Sequence, residues 1–338
     1  MSDIVSIIQR VLGDVDLVLG WTATGAGGVA APARFQTAAE AERAVFNATC
    51  VHNLAVHLPR LKDQTVGIVA KGCDSRSVAQ LIQEREIDRD RVKVIGVRGL
   101  GGSIDVRKIW RFHGYGVPVD ARTDSLFIDG KEVDRQEFLR QKCLGCRDMD
   151  PVIYDELFEA SGSSITGIAD AATVETALSE TGLGTSLTAA EAMSAAGEDE
   201  SRPLGELFAK MNSAERRLFW REQYSRCIRC YACREACPMC FCRDVCIMQT
   251  TDPHWTGAGV DAGEAEMMQL IRVNHLAGRC TGCGECERAC PVGIPLMLLM
   301  NKQNQVIEEL FGYRAGTDLE ARPPLLTFDI KGDSRSEK

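Results

Sequence analysis

Two cysteine runs in the C-terminal half of this 338-residue chain restrict its fold more than any other feature. The spacing C-x2-C-x2-C-x3-C-P occurs twice, from Cys227 to Pro238 and from Cys280 to Pro291. It is typical of proteins that hold two 4Fe-4S clusters, in which three close cysteines and the distant fourth cysteine of the other run bind each cluster. A pair of zinc ribbons is the alternative, although zinc ribbons ordinarily show two C-x2-C pairs.

Because the fourth cysteine of each run binds the cluster of the other run, the ligands are crossed, and the sequence predicts two sets of four. The first set is Cys227, Cys230, Cys233 and Cys290, and the second set is Cys280, Cys283, Cys286 and Cys237. Three thiolates two residues apart can wrap a tight loop around three iron corners, with backbone N–H groups directed at the sulfurs. The fourth cysteine belongs to the other cluster, so crossing brings the two centres close enough for fast electron transfer.

Three further cysteines follow the first run: Cys240, Cys242 and Cys246. Their C-x-C-x3-C spacing is one thiol short of a cubane site. Two interpretations stay open. They are thiols packed near a crowded cluster, or they bind a further Fe-S cluster completed by a side chain such as His254 or by a partner subunit.

The N-terminal half contains Cys50, Cys73, Cys143 and Cys146, enough for a third 4Fe-4S cluster. Cys73 lies where a predicted strand ends and a helix begins, and a helix N-terminus favours a thiolate. The Cys143-x-x-Cys146 pair alone fits a redox dithiol, a zinc pair or a cluster pair. Cys50 falls within a helix predicted to begin at Thr37, so a simple buried cysteine is the alternative there.

Alternating patterns predict an α/β N-terminal domain with a small, mostly parallel sheet and right-handed crossovers. The strand patterns lie at 15–20, 65–70 and 92–97. Residues 125–133 predict a hairpin whose turn is Asp129-Gly130. The C-terminal part is predicted to be an α-helical two-cluster ferredoxin domain, whose first helix begins at the capping box Asn212-x-x-Glu215.

Composition divides the chain into four predicted segments. These are an α/β iron-sulfur domain at 1–182, a linker at 183–204, the ferredoxin domain at 205–320 and a C-terminal tail at 321–338. Neither a signal peptide nor a stretch able to span a membrane is evident, so we expect a soluble, cytoplasmic protein. The net charge of −9 argues against nucleic acid as the main partner.

Two resemblances extend this interpretation. Residues 215 to 305 resemble the α-helical ferredoxin module of succinate dehydrogenases and of the C subunit of heterodisulfide reductase. The segments VGIVAKGCDSRSVAQLIQE, VKVIGVRGLGGSIDVRKI and KCLGCRDMDP resemble the beta-subunit family of coenzyme F-420 hydrogenases and dehydrogenases, which includes formate dehydrogenase beta subunits. That family implies Fe-S clusters, FAD in some members, and a cysteine near position 99, where this chain has Gly99.

We therefore predict an iron-sulfur electron-transfer subunit of an anaerobic redox complex. The resemblance implies partners such as hydrogenase subunits, formate dehydrogenase subunits or a heterodisulfide-reductase-A-like flavoprotein. The alternative is an FAD-containing oxidoreductase that transfers hydride to or from a deazaflavin or nicotinamide, although no G-x-G-x-x-G follows a strand. A structural or sensory iron-sulfur protein is a third possibility. Catalytic residues are not predicted, and whether the chain is itself an enzyme stays open.

Overall fold

The computed structural model describes residues 4–24, 27–122, 124–160, 208, 210–242, 244–249, 255–257 and 259–327. The predicted linker, the boundary at residue 182, His254 and the tail after residue 327 lie outside these ranges.

A five-stranded sheet forms the centre of the N-terminal part. Its strands are β1 (Leu17–Ala23), β2 (Ala30–Phe35), β3 (Val66–Ala70), β4 (Val92–Arg98) and β8 (Glu156–Glu159), in the order β2-β1-β3-β4-β8. Strands β1, β3, β4 and β8 run parallel, and β2 pairs antiparallel with β1 at one edge. All five residues of β3 are buried, as expected for a central parallel strand covered on both faces.

Short helices and a second sheet complete this part. The helices are α1 (Ile4–Val11), α2 (Ala38–Ala41), α3 (Gly72–Gln83), α4 (Val106–His113) and α5 (Gln141–Leu144). The second sheet is antiparallel and consists of β5 (Val119–Ala121), β6 (Leu126–Ile128) and β7 (Lys131–Val133). The predicted hairpin is confirmed, because Asp129 and Gly130 connect β6 to β7 with left-handed φ angles of 52° and 72°.

The long helix predicted from Thr37 is wrong. Thr37 does cap a helix, but α2 ends after one turn at Ala41. The chain then pairs with the end of β1, where the Val45 N–H donates to the carbonyl oxygen of Trp21 at 2.9 Å. Since strand pairing takes this backbone donor, the helix cannot continue, and Cys50 lies in a loop rather than in a helix.

Helices form the C-terminal part. They are α6 (Ser213–Ser225), α7 (Ala232–Glu235), α8 (Ala262–His275), α9 (Glu285–Ala289) and α10 (Leu296–Phe311). The predicted capping box at α6 is present, because Asn212 accepts from the Glu215 N–H while the Glu215 carboxylate accepts from the Asn212 N–H. Within the described ranges, no helix combines the length and apolar character needed to cross a bilayer.

One apolar core joins the two parts. It contains Ile68 and Val69 of the sheet together with Met239, Leu276 and Met297 of the helical part. The predicted class, an α/β part with a mostly parallel sheet followed by a helical part, is therefore confirmed. The division into segments stays a prediction.

Candidate metal centres

The structure brings the predicted first set of cysteines together. Cys227, Cys230, Cys233 and Cys290 line one small cavity. Burial raises the pKa of the Cys227 thiol, and the charges of Cys233, Cys290 and Cys230 raise it further. Cys290 thus lies beside the first run although it is the last cysteine of the second.

The second set shows the reciprocal arrangement. Burial raises the pKa of each of the first three thiols of the second run, and Cys237 adds to the rise at every one. Those three thiols are Cys280, Cys283 and Cys286. Cys237 therefore lies with the second set although Cys233 precedes it closely in the chain. The crossed proximity is what the spacing predicts, whereas the ligand roles themselves stay predictions.

Both loops share one backbone conformation. Arg229 and Tyr231 have left-handed φ angles of 50° and 59°, and the equivalent residues of the second loop, Gly282 and Gly284, both have a φ of 70°. The N–H of Arg229 donates to the Cys227 thiol, and the N–H of Gly282 donates to the Cys280 thiol. N–H groups directed at cysteine sulfur are one means by which proteins set the potential of an Fe-S cluster.

A buried arginine lies near both sets. Arg272 on α8 is 1% exposed, and none of its three guanidinium nitrogens has a hydrogen-bond partner within the described residues. Burial alone would lower its pKa, but the thiolates of Cys286, Cys237 and Cys233 raise it well above the ordinary value. A buried cation without a partner is costly, so its position fits two anionic clusters that flank it.

The donor sets suit iron-sulfur clusters. Each set supplies four thiols, the complement that a 4Fe-4S cluster takes, with each thiolate on a different iron corner. In the described part of the chain, no three His, Cys, Asp or Glu side chains form a group suited to a single metal ion.

The three additional cysteines have different surroundings. Cys240 shares a thiol hydrogen bond with Cys237, which raises the pKa of Cys237 and lowers that of Cys240. Cys242 is exposed, and the Cys246 thiol accepts from Nε of Arg234 at 3.4 Å. Cys240 is thus a neighbour of the second set, and both earlier interpretations of Cys242 and Cys246 stay open.

Three of the four N-terminal cysteines form a group, hereafter the N-terminal triad: Cys73, Cys143 and Cys146. The charge of Cys143 adds to the rise that burial causes in the pKa of both Cys73 and Cys146. Cys73 is the second residue of α3, close to the end of β3 as predicted, and Cys143 lies in α5. A cleft of about 430 Å³ extends from Cys73 and Cys146 to Cys280 of the second set.

Cys50 does not share these contacts. Its side chain is fully buried in the apolar core, where its thiol accepts from the Asn47 N–H at 3.4 Å. Burial raises the pKa of Cys50 to about 12, and the charges that act on it are those of Lys71 and Asp74, with no other cysteine among them. This isolation from the triad favours the alternative of a simple buried cysteine over a cluster ligand.

The glycine-rich segment after β4 supports the N-terminal triad. Arg135 donates to the carbonyl oxygens of Leu100, Gly101 and Gly102, at 3.1, 2.8 and 2.9 Å. This holds the loop so that the Ser103 N–H donates to the Cys143 thiol at 3.4 Å. The segment therefore positions a cysteine, even though Gly99 stands where the family resemblance implied one.

Gly72 permits the close approach that places Cys73 beside Cys146. A Cβ at Gly72 would lie 2.2 Å from the carbonyl oxygen of Asp148, which is rigid backbone. We expect Gly72→Ala to lower stability by about 1–3 kcal/mol and, in a chain whose triad binds a cluster, to lower the iron content. Urea unfolding and iron analysis measure both effects.

Gly145→Ala, in the segment that Gly72 packs against, is the matched control. A Cβ there meets nothing within 4 Å, and the φ of Gly145 is −112°. Equal losses of iron in the two variants would contradict this explanation, because only Gly72→Ala forces the two segments apart.

Several residues of these sites were not predicted from the sequence. Lys142 precedes a predicted ligand, but nothing in its type or spacing indicates that it bridges two sets. Arg272 and Gln269 had a usable signal, because both occupy the buried face of α8 beside Met268. The Gln269 amide nitrogen lies 3.7 Å from the Cys233 sulfur. Polar residues at core positions of a helix could have indicated a buried charged group nearby.

Comparison with known proteins agrees with this geometry. A family described as "4Fe-4S dicluster domain" matches residues 222–294. The chain is 26% identical over 304 residues to the "F420-dependent formate dehydrogenase subunit beta" of Methanocaldococcus jannaschii, an alignment that covers 80% of this chain and 78% of the relative. It is 25% identical over 310 residues to the "F420-dependent formate dehydrogenase 1 subunit beta" of Methanococcus maripaludis, covering 78% and 76%.

These findings support an iron-sulfur electron-transfer subunit. The resemblance to formate dehydrogenase beta subunits is thereby confirmed: the chain is a homologue of these proteins and carries a 4Fe-4S dicluster domain in its C-terminal part.

Proposed function

We propose that this chain relays single electrons between a flavin- or metal-containing catalytic partner and an acceptor, through three 4Fe-4S clusters. The observation that carries the proposal is Arg272, a buried cation without hydrogen-bond partners among the described residues, whose pKa is raised by the charges of thiols from both sets. One positive charge shared by two sets suits two anionic groups held close together. Such a pair serves electron transfer, since a purely structural site needs only one group.

The first set gives the relay access to the surface. Cys230 is exposed, and Ile228 of the same loop is 56% exposed. An apolar side chain at the rim of a cluster loop is suitable for contact with a partner protein. Electrons can therefore enter or leave through this end of the ferredoxin domain without crossing its core.

The N-terminal triad is proposed to hold the third cluster. Cys73 and Cys146 border a cleft of about 430 Å³, and Lys142 provides a positive charge 3.5 Å from the Cys73 sulfur. Thiolates beside a lysine are suitable metal ligands because the cation favours the deprotonated form. The fourth ligand of this cluster is not assigned, since Cys50 lies apart in the apolar core.

The family resemblance supplies the proposed partners, which are formate dehydrogenase or hydrogenase subunits or a heterodisulfide-reductase-A-like flavoprotein. The homologues are named as beta subunits, so we propose that this chain also works within a complex.

Iron, acid-labile sulfide and flavin per chain test the proposal on anaerobically purified, full-length protein. We expect about twelve iron atoms, four for each of three clusters. About eight would remove the third cluster from the proposal, and about sixteen would assign a fourth to Cys240, Cys242 and Cys246. If the protein contains stoichiometric FAD and a deazaflavin or nicotinamide alone reduces it, the alternative function, an FAD-containing oxidoreductase, would replace the electron relay.

A further inference from the structure

Lys142 lies between the N-terminal triad and the second set. Its ammonium donates to the carbonyl oxygen of Cys283 at 2.6 Å and lies 3.5 Å from the Cys73 sulfur. Both are direct contacts, so one positive charge touches a ligand candidate of the triad and the loop that carries the second set.

The second loop has space for this lysine and the first loop does not. A Cβ at Gly284 would lie 2.7 Å from Cδ of Lys142. Tyr231, the equivalent residue of the first loop, has the same left-handed backbone but carries a large side chain. The two loops thus differ at the position where Lys142 packs.

Further contacts fix the triad against the second set. The Ser77 and Thr281 hydroxyls are 2.8 Å apart and buried, which joins α3, the helix of Cys73, to the second loop. Arg140, just before α5, donates to the carbonyl oxygen of Gly284 at 3.0 Å. The cleft beside the triad reaches Cys280.

The first set contacts the N-terminal part differently. Arg107 donates to the carbonyl oxygen of Cys290 at 3.1 Å, but it lies on α4, which carries none of the three triad thiols. The polar bridges described for the triad therefore lead to the second loop.

We propose that Lys142 is a positioning residue that couples the N-terminal triad to the second set, so that electrons pass between the triad and the first set by way of the second. This inference rests on the proposed function. Each step moves one electron: the centre that loses it is oxidised by one, the centre that gains it is reduced by one, and no bond or proton is exchanged. The ammonium stabilises the added electron on either neighbour, because reduction makes a cluster more negative.

The test compares Lys142→Met with Lys142→Arg in the full-length, cluster-loaded chain. Potentiometric titration monitored by electron paramagnetic resonance gives the midpoint reduction potential of each cluster. We expect Lys142→Met to lower the midpoint reduction potentials of the triad and second-set clusters. The expected change is tenfold in each reduction equilibrium constant, which corresponds to about 59 mV for one electron. The midpoint of the first-set cluster should not move, and Lys142→Arg should restore the other two.

Lys131→Met, on the exposed strand β7, is the matched control and should shift nothing. Serine substitutions identify the midpoints, with Cys146→Ser marking the triad, Cys283→Ser the second set and Cys230→Ser the first. Unchanged midpoints at full iron content, or a shift confined to the first set, would overturn the inference. About eight iron atoms in the unmodified chain would instead show that the triad holds no cluster, which is a failure of the proposed function.

Magnetic coupling provides a second measurement if Lys142→Met loses iron. In the fully reduced protein, magnetic coupling to the second-set cluster should broaden the electron paramagnetic resonance signal of the triad cluster. We expect Cys283→Ala to abolish this broadening and Cys230→Ala to preserve it. The opposite pattern would place the triad beside the first set and refute the order of the relay.

Discussion

Replacing Cys237 by alanine is expected to remove about four iron atoms per chain, whereas replacing Cys240 should remove none. Both thiols lie at the second set and share a hydrogen bond. Cys237 lies close to the first three thiols of the second run. When Cys237 binds iron as a thiolate, Cys240 is left to donate its S–H to that sulfur. Cys240→Ala should therefore keep the cluster and lower its midpoint slightly.

Double substitutions reveal which cluster contains Cys237. If the sets are crossed, Cys237→Ala combined with Cys283→Ala damages the same cluster twice and should cost about four iron atoms. Cys237→Ala combined with Cys230→Ala damages two clusters and should cost about eight. The reverse result would show that each run binds its own cluster and would refute the crossed assignment. Iron analysis on anaerobically reconstituted protein measures all four variants.

Cys240 is a candidate replacement ligand when Cys237 is substituted by alanine. Its thiol lies beside that of Cys237, so it could take over the vacated iron corner. Cys237→Ala with Cys240→Ala removes this route. If iron is lost only in that double variant, Cys240 is a competent substitute ligand, and the surplus cysteine has a role in cluster retention.

The proximity of the cysteines in the ferredoxin domain was predictable because it depends mainly on local chain geometry. A C-x2-C-x2-C loop has few ways to direct three thiols at one centre, and the repeat of left-handed residues at Arg229 and Gly282 shows that both runs adopt the same one. The proximity of Cys237 to the second run, and of Cys290 to the first run, was predicted from the same repeated spacing. Hairpin and capping-box signals at Gly130 and Asn212 are local as well, and the structure has both.

Other features depend on packing between distant segments, and there the sequence was a poor guide. The helix predicted from Thr37 has a correct cap, but pairing with β1 near Trp21 ends it. Cys50 was grouped with the other N-terminal cysteines by count alone, and the fold buries it in the apolar core. Lys142 connects the triad to a loop that lies 141 residues away in sequence. No spacing rule covers a contact of that kind.

Arg272→Met is expected to lower the midpoints of both ferredoxin clusters by on the order of 100 mV. A reduced cluster carries one more negative charge than an oxidised one. Removing a buried cation beside it therefore destabilises the reduced form more, and the midpoint falls. Arg272 lies near Cys233 of the first set and Cys286 of the second, so both midpoints should move. Potentiometric titration monitored by electron paramagnetic resonance measures the shift.

The same substitution should also weaken cluster retention, since leaving buried charges unpaired costs about 3–5 kcal/mol. We expect faster loss of iron to a chelator from Arg272→Met than from the unmodified chain. Arg272→Lys keeps the charge and should recover most of the midpoint, although a compact ammonium does not reproduce the planar, delocalised charge of the guanidinium. Arg221→Met, on the exposed side of α6, controls for loss of one positive charge from the protein as a whole.

The two effects separate the possible roles of Arg272. If it only filled space between the helices, Arg272→Met would preserve both midpoints, because methionine occupies much of the same volume. A shift confined to one cluster would place the guanidinium beside one set rather than between the two. A shift of both, reversed by lysine and absent in Arg221→Met, requires a buried positive charge shared by two reducible centres. A relay that accepts electrons in sequence needs such a charge, because without it the electron on one cluster raises the energy of placing the next on its neighbour.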